Sequence, residues 1–265
     1  MYFNDSHIHV TDVSAAEMQK MYLAGVREVV SPVQLAGTKA VSSEVIREMW
    51  DYQISFQLPR VKKCFIEAYA MIGISMVSTP KDDPAELYEI LPEYLKRPQV
   101  VAIGEIGFEP NSRTCKDLGF QEELLRGQLQ VAAVTDARVV IHVPNKADEK
   151  VKYTEKSLTL CNEYKVPLHR VVIDHCTDVN LDIVLKSGAY AAITVQPWRP
   201  VSPEKAADMI LKFGTDRIMI NSDCGTQLSD PLAVPKTALE LKKKGAAEQD
   251  IEMVCRNNSR TFYGI

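Results

Sequence analysis

His7 and His9 stand two residues apart in Asp5-Ser6-His7-Ile8-His9, at the end of a short run with strand character. Alternate side chains of a strand share a face, so the two imidazoles project together, with Asp5 beneath them where its carboxylate can orient a ring N–H. Two imidazoles on one face are half of a metal site. The chain has five histidines, and two of the others, His142 and His175, also close apolar runs, as do Glu105 and Asp223. Imidazole and carboxylate donors suit divalent Zn, Mn, Ni or Co, and one glutamate can bridge two such ions about 3.5–4 Å apart. The natural division sets His7, His9 and Asp223 on one ion and His142 and His175 on a second, with Glu105 between them. A hydroxide held by the pair is then the nucleophile. Asp223 is suited to take a proton and pass it to the leaving group, so Asp223 and Glu105 carry catalysis.

Such a site needs a frame that brings six distant residues together. Near-continuous apolar runs at 3–9, 27–33, within 64–76, and at 100–108, 138–143, 170–176, 190–195 and 217–222 alternate with stretches of helical period. Ser14 with Glu17 three residues later reads as a capping box, and Val45, Ile46, Met49 and Trp50 share a core-facing stripe. Eight βα units with strands apolar on both faces predict an α/β fold, a closed parallel (β/α)8 TIM barrel, as a single domain over residues 1–265. His7, His9, Glu105, His142, His175 and Asp223 all fall at carboxyl ends of strands, which meet at one rim in such a barrel. His169 lies at the start of the sixth strand, hence at the opposite rim. Cys176 and Cys224 alternate away from the rim centre and read as packing residues.

A net charge of −4 implies no general attraction to nucleic acid or to an anionic membrane. The longest uncharged apolar stretch, 68–77, is far too short for a membrane span. The six cysteines lack CxxC spacing and no secretory signal is legible, so reduced thiols and a cytoplasmic location are expected. No obligate protein partner is evident.

The order HxH, Glu, His, His, Asp resembles the amidohydrolase superfamily, and its TatD-like metal-dependent hydrolase branch in particular. The similarity extends over Ala102-Ile103-Gly104-Glu105-Ile106-Gly107, Phe120-Gln121, Gln128-Leu129, Val140-Ile141-His142, Ser222-Asp223 and the closing Asn257-Asn258-Ser259-Arg260-Thr261-Phe262. It implies the same metal roles, with Glu105 where other branches carry a carboxylated lysine. Three departures bear on substrate. His142-Val143-Pro144-Asn145-Lys146 lacks the arginine that usually follows the strand-5 histidine, strand 3 ends Gly73-Ile74-Ser75-Met76, and Cys224-Gly225 follows Asp223. The expectation is a divergent, binuclear hydrolase acting on a phosphoester of a small molecule or an oligonucleotide end. Arg113, Lys116, Lys146, Trp198 and Arg199 are the rim residues available for substrate. A carboxylic ester or amide hydrolase, a mononuclear lyase or isomerase, and a non-catalytic metal-binding barrel are the alternatives.

Overall fold

A computed structural model describes residues 1–34, 39–197, 201–225 and 228–265. Eight strands run in parallel and in sequence order: β1 (Phe3–Asp5), β2 (Val26–Pro32), β3 (Glu67–Ile72), β4 (Val100–Gly107), β5 (Val139–His142), β6 (Val171–Ile173), β7 (Tyr190–Thr194) and β8 (Ile218–Asn221). The helices are α1 (Ala15–Leu23), α2 (Ser43–Tyr52), α3 (Leu58–Lys62), α4 (Ala85–Leu95), α5 (Leu118–Thr135), α6 (Ala147–Glu163), α7 (Leu181–Ser187), α8 (Pro203–Phe213), α9 (Ala233–Lys243), α10 (Glu248–Glu252) and α11 (Asn258–Tyr263). This is the (β/α)8 barrel that the alternation of apolar runs predicts. The expected capping box opens α1, where the Glu17 amide donates to Ser14 Oγ at 3.2 Å and the Ser14 amide donates to Glu17 Oε2 at 2.8 Å.

Both strand faces are buried, for two different reasons. One set of alternate residues, Val30, Met71, Ala102, Val140, Val172, Ala192 and Met219, packs inside the barrel with Phe262 and Tyr263 of α11. The other set, including Val29, Ile103, Ile141, Ile173, Ile193 and Ile220, packs with helix residues such as Leu91, Leu124, Leu129, Val184, Ala207 and Leu241. Burial of each such side chain stabilises the fold by about 1.5–3 kcal/mol. That two-faced core explains why the strands read as unbroken apolar runs.

The seam between β8 and β1 closes at the carboxyl end through residues just beyond both strands. The His9 amide donates to Cys224 O at 2.8 Å and the Asp223 amide to His7 O at 3.0 Å, while Ile8 and Cys224 form a parallel bridge. Site residues therefore lock the barrel that presents them. At the other end Asn258 donates to Thr215 O and Ile218 O, both at 2.7 Å, and Arg260 pairs with Glu28, while Tyr263 packs in the interior and donates its hydroxyl to Ser6 O, just past β1, at 3.1 Å. The closing motif thus ties the last helix to β1, β2 and β8. No helix among the described residues is long and apolar enough to cross a membrane.

Candidate metal centre

His142 reaches the rim by plain alternation: Val140 faces the barrel interior, so His142 two residues on does too. Asp223 lies just past the end of β8, where it adopts a φ of 45°. Glu105 is out of phase with inward Ala102, and a bulge corrects it: the β4–β5 register advances three residues, Ile103 to Ile106, against two, Val139 to Ile141. Gly107 keeps the strands close enough for this. Its φ is +138°, and a Cβ there would sit 2.4 Å from His142 O, so no larger residue fits without moving the His142 backbone. His175 is likewise out of phase with Val172, and its φ of 57° turns the ring back toward the centre.

The structure brings all six sequence-derived candidates into one cluster, five of them buried and His142 partly so. His7 and His9 place their Nε2 atoms 3.2 Å apart, and Asp223 Oδ1 lies 3.0 Å from His9 Nε2 and 3.8 Å from His7 Nε2. Glu105 Oε1 lies 2.7 Å from His142 Nδ1 and 2.9 Å from His175 Nε2, while its Oε2 lies 3.9 Å from His7 Nε2. Two sets of donor atoms are compact enough for a cation, with every pair within 4.8 Å: His7, Glu105, Asp174 and His175 in one, and His7, His9 and Asp223 in the other. The second set matches the expected grouping. The first differs from it, because it contains His7 and Asp174, and His142 stands beside it on Glu105.

Each of three rings turns one nitrogen inward and gives the other to an outer partner. His7 Nδ1–H donates to Asp174 Oδ2. His175 Nδ1 meets Thr194 Oγ1 at 2.6 Å, and His142 Nε2 meets Glu109 Oε2 at 3.2 Å. Such outer contacts fix which nitrogen is free to ligate. They also correct the expectation for Asp5, whose Oδ1 accepts from the backbone amides of Ser222 at 3.0 Å and His7 at 3.4 Å, and orients no ring. Asp174 takes that role because it is in phase with inward Val172 and Asp5 is not beneath the His7 ring. The adjacency Asp174-His175 was the available signal for it, and strand alternation about His175 hid it. Gln196 completes the outer contacts by donating to Asp223 Oδ2 at 3.0 Å. The donor set fits divalent cations, since imidazole and carboxylate atoms converge without a thiol. Cys176 and Cys224 belong to neither set, and burial pushes their thiols up to about 12 and about 11.

Charge balance in the metal-free cluster follows from these contacts. Burial presses the His7 imidazole down, but Asp174, Glu105 and Asp223 outweigh it and raise His7 to about 10. His142, buried between Glu105 and Glu109, is raised to about 9 for the same reason. Burial opposes ionisation of Glu105, Asp174 and Asp223, and the facing histidines overcome it, so all three are held below the usual carboxylate range. In the metal-free chain the raised imidazoles stabilise the fold fully below about pH 6.5, and this contribution is lost as pH climbs through about 9 to 10. Metal binding runs the opposite way. An arriving cation must displace protons from the raised imidazoles it takes as ligands, so affinity keeps rising with pH beyond the ordinary histidine range. Calorimetric Zn²⁺ titration in two buffers of different ionisation enthalpy measures this release; a value near zero contradicts the charge state described.

The sequence-derived substrate residues are not gathered here. Arg113 and Lys116 are exposed on the loop between β4 and α5. Lys146 Nζ is 3.5 Å from Asp148 and 3.6 Å from Glu149, so its charge is met locally. Trp198 and Arg199 lie outside the described residues.

The family model for TatD-related DNases matches residues 4–264. The chain belongs to the TatD-related DNase family. Its relatives include an uncharacterised metal-dependent hydrolase of Methanocaldococcus jannaschii, 29% identical over 261 residues that cover 98% of this chain and 99% of the relative. Among solved structures, the TatD-like protein of Archaeoglobus fulgidus superposes with a TM-score of 0.80 at 26% identity, over 99% of this chain and 100% of that one. A TatD homologue of Escherichia coli shares the fold, with a TM-score of 0.67 at 20% identity over 99% and 98% of the two chains. Two glutamines within the TatD-like motifs have clear structural work in this TatD chain. Gln128 accepts from the Ile74 amide at 2.7 Å and donates to Ile74 O at 3.1 Å, which pins the loop after β3. Gln121 accepts from the Glu109 amide at 2.8 Å and donates to Glu109 O at 2.9 Å, which sets the residue that holds His142.

Proposed function

We propose that this TatD-family metal-dependent hydrolase binds two divalent cations at the rim and cleaves a phosphoester of a small molecule or of an oligonucleotide end. The observation that carries the reading is the pair of compact donor sets side by side, one containing Glu105 and His175 and the other His9 and Asp223. His7, His9 and Asp223 would hold one ion and Glu105, His175 and His142 the other. Bound divalent ions would activate water and offset the extra charge of a phosphoryl transition state. The chain's own residues do the rest. Asp223, kept ionised by its histidine neighbours, is the proton acceptor, with one oxygen toward His9 and the other fixed by Gln196. Glu105 spans the rings of His142 and His175 and so sets the spacing of the donors.

Access supports a small substrate. His142 and Glu109, 12% and 17% exposed, are the most open side chains of the cluster, against 8% or less for Asp223, His175, Glu105, His9 and His7. Glu109, the most open of these side chains, is acidic and opposes the approach of a polyanion. Glu109 also favours a second reading, hydrolysis of a carboxylic ester or amide, because a carboxylate at the mouth opposes a highly charged phosphate. A turnover screen over phosphodiesters, phosphomonoesters, esters and amides with Mn²⁺, Zn²⁺ and Co²⁺ separates the two. On any phosphoester substrate found, raising salt from about 50 to 200 mM should change the rate little. Steep loss of activity on long single-stranded DNA over that range would indicate several phosphate contacts and overturn the small-substrate reading.

A further inference from the structure

We propose that Asp174 is the positioning residue of the centre, holding a proton of His7 on Nδ1 so that Nε2 is the nitrogen presented to a cation. The inference rests on the metal-binding reading above. A carboxylate only accepts, so the His7 Nδ1 that faces Asp174 Oδ2 must be the protonated nitrogen. Its partner, Nε2, looks into the cluster toward His9 Nε2 at 3.2 Å, Asp223 Oδ1 at 3.8 Å and Glu105 Oε2 at 3.9 Å. His7 alone occurs in both donor sets, so whichever ion takes its Nε2, the tautomer of this ring decides whether that lone pair is available.

Asp174 could instead be read as a ligand, since it falls within one set. Its other contacts argue for positioning. Oδ1 accepts from the His175 amide at 2.7 Å, from Asn221 Nδ2 at 2.8 Å and from the Thr194 hydroxyl at 3.5 Å. The carboxylate is only 1% exposed, so moving it into the centre would strip these buried donors of their acceptor. The same Thr194 hydroxyl, donating to Asp174, has its lone pair free for His175 Nδ1–H at 2.6 Å. Asp174 thus sets the tautomer of His7 directly and that of His175 through Thr194, and leaves Nε2 of both rings facing inward.

The test is the ring-nitrogen spectrum of the Zn²⁺-loaded wild-type protein labelled with ¹⁵N-histidine, with the His7 signals assigned by their loss in His7→Gln. The expected result is a retained Nδ1–H and an unprotonated Nε2 for His7. Asp174→Asn places an amide donor toward Nδ1 and should lower Zn²⁺ affinity by about 10–100-fold at unchanged circular dichroism. A His7 proton on Nε2 in the loaded wild type overturns the inference, whether or not the variant folds. So does a folded Asp174→Asn with undiminished Zn²⁺ affinity. A wild-type chain that takes up no Zn²⁺ overturns the metal-binding reading itself, and the inference with it.

Discussion

Replacing Asp223 by asparagine should lower turnover by about two to four orders of magnitude while most of the bound metal remains, since positioned acid–base groups contribute on that scale. The geometry makes the substitution a clean probe. An asparagine oxygen can still take the Oδ1 place among the donors, now 3.0 Å from His9 Nε2, with its amide on the Gln196 side, where a flipped Gln196 side chain can accept. What is lost is the capacity to take a proton. The comparison uses whichever substrate the screen identifies, with metal content measured on the same preparation. Normal turnover by Asp223→Asn would remove the proton acceptor from the account.

His7→Ala should act on the metal instead. Because His7 is one of the three donors beside His9 and Asp223, its removal should weaken binding there by more than the roughly 10–100-fold typical of losing an outer contact. Stability should fall as well. The change leaves the buried Asp174 carboxylate without its imidazole partner, and breaking a buried pair from one side costs about 3–5 kcal/mol. Urea unfolding of the metal-free variant measures this directly, and an unchanged midpoint would show that Asn221 and the His175 amide satisfy Asp174 unaided.

The barrel was legible because its strands are buried on both faces and its helices are not. Val171, Val172 and Ile173 read as a strand for the same reason that they form one: each faces either the interior cluster or the helices. The six candidate donors were legible because strand ends in such a barrel converge, whatever the side-chain phase at each end. Phase is where strand periodicity alone misled. Glu105 sits after a bulge, and His175 and Asp223 each at a positive φ, and none of these features can be counted from alternation. Asp174, which alternation places correctly, was eclipsed by the histidine after it.

Glu109, Thr194 and Gln196 carried weaker signals. Each lies beyond or at the end of a strand, where a polar residue is ordinary, and its meaning comes only from the ring or carboxylate it meets across the rim. The placement of Asp5 shows the converse. A carboxylate two residues before a histidine looked like a ring partner, yet it satisfies the Ser222 and His7 amides where β8 and β1 come together.

The most direct test of the central claim is anomalous diffraction from crystals grown with Zn²⁺, recorded on both sides of the metal absorption edge. The account predicts two peaks at the carboxyl rim, about 3.5–4 Å apart, one among His7, His9 and Asp223 and the other beside Glu105, His142 and His175. A single peak at saturating Zn²⁺, or none among these residues, would contradict it.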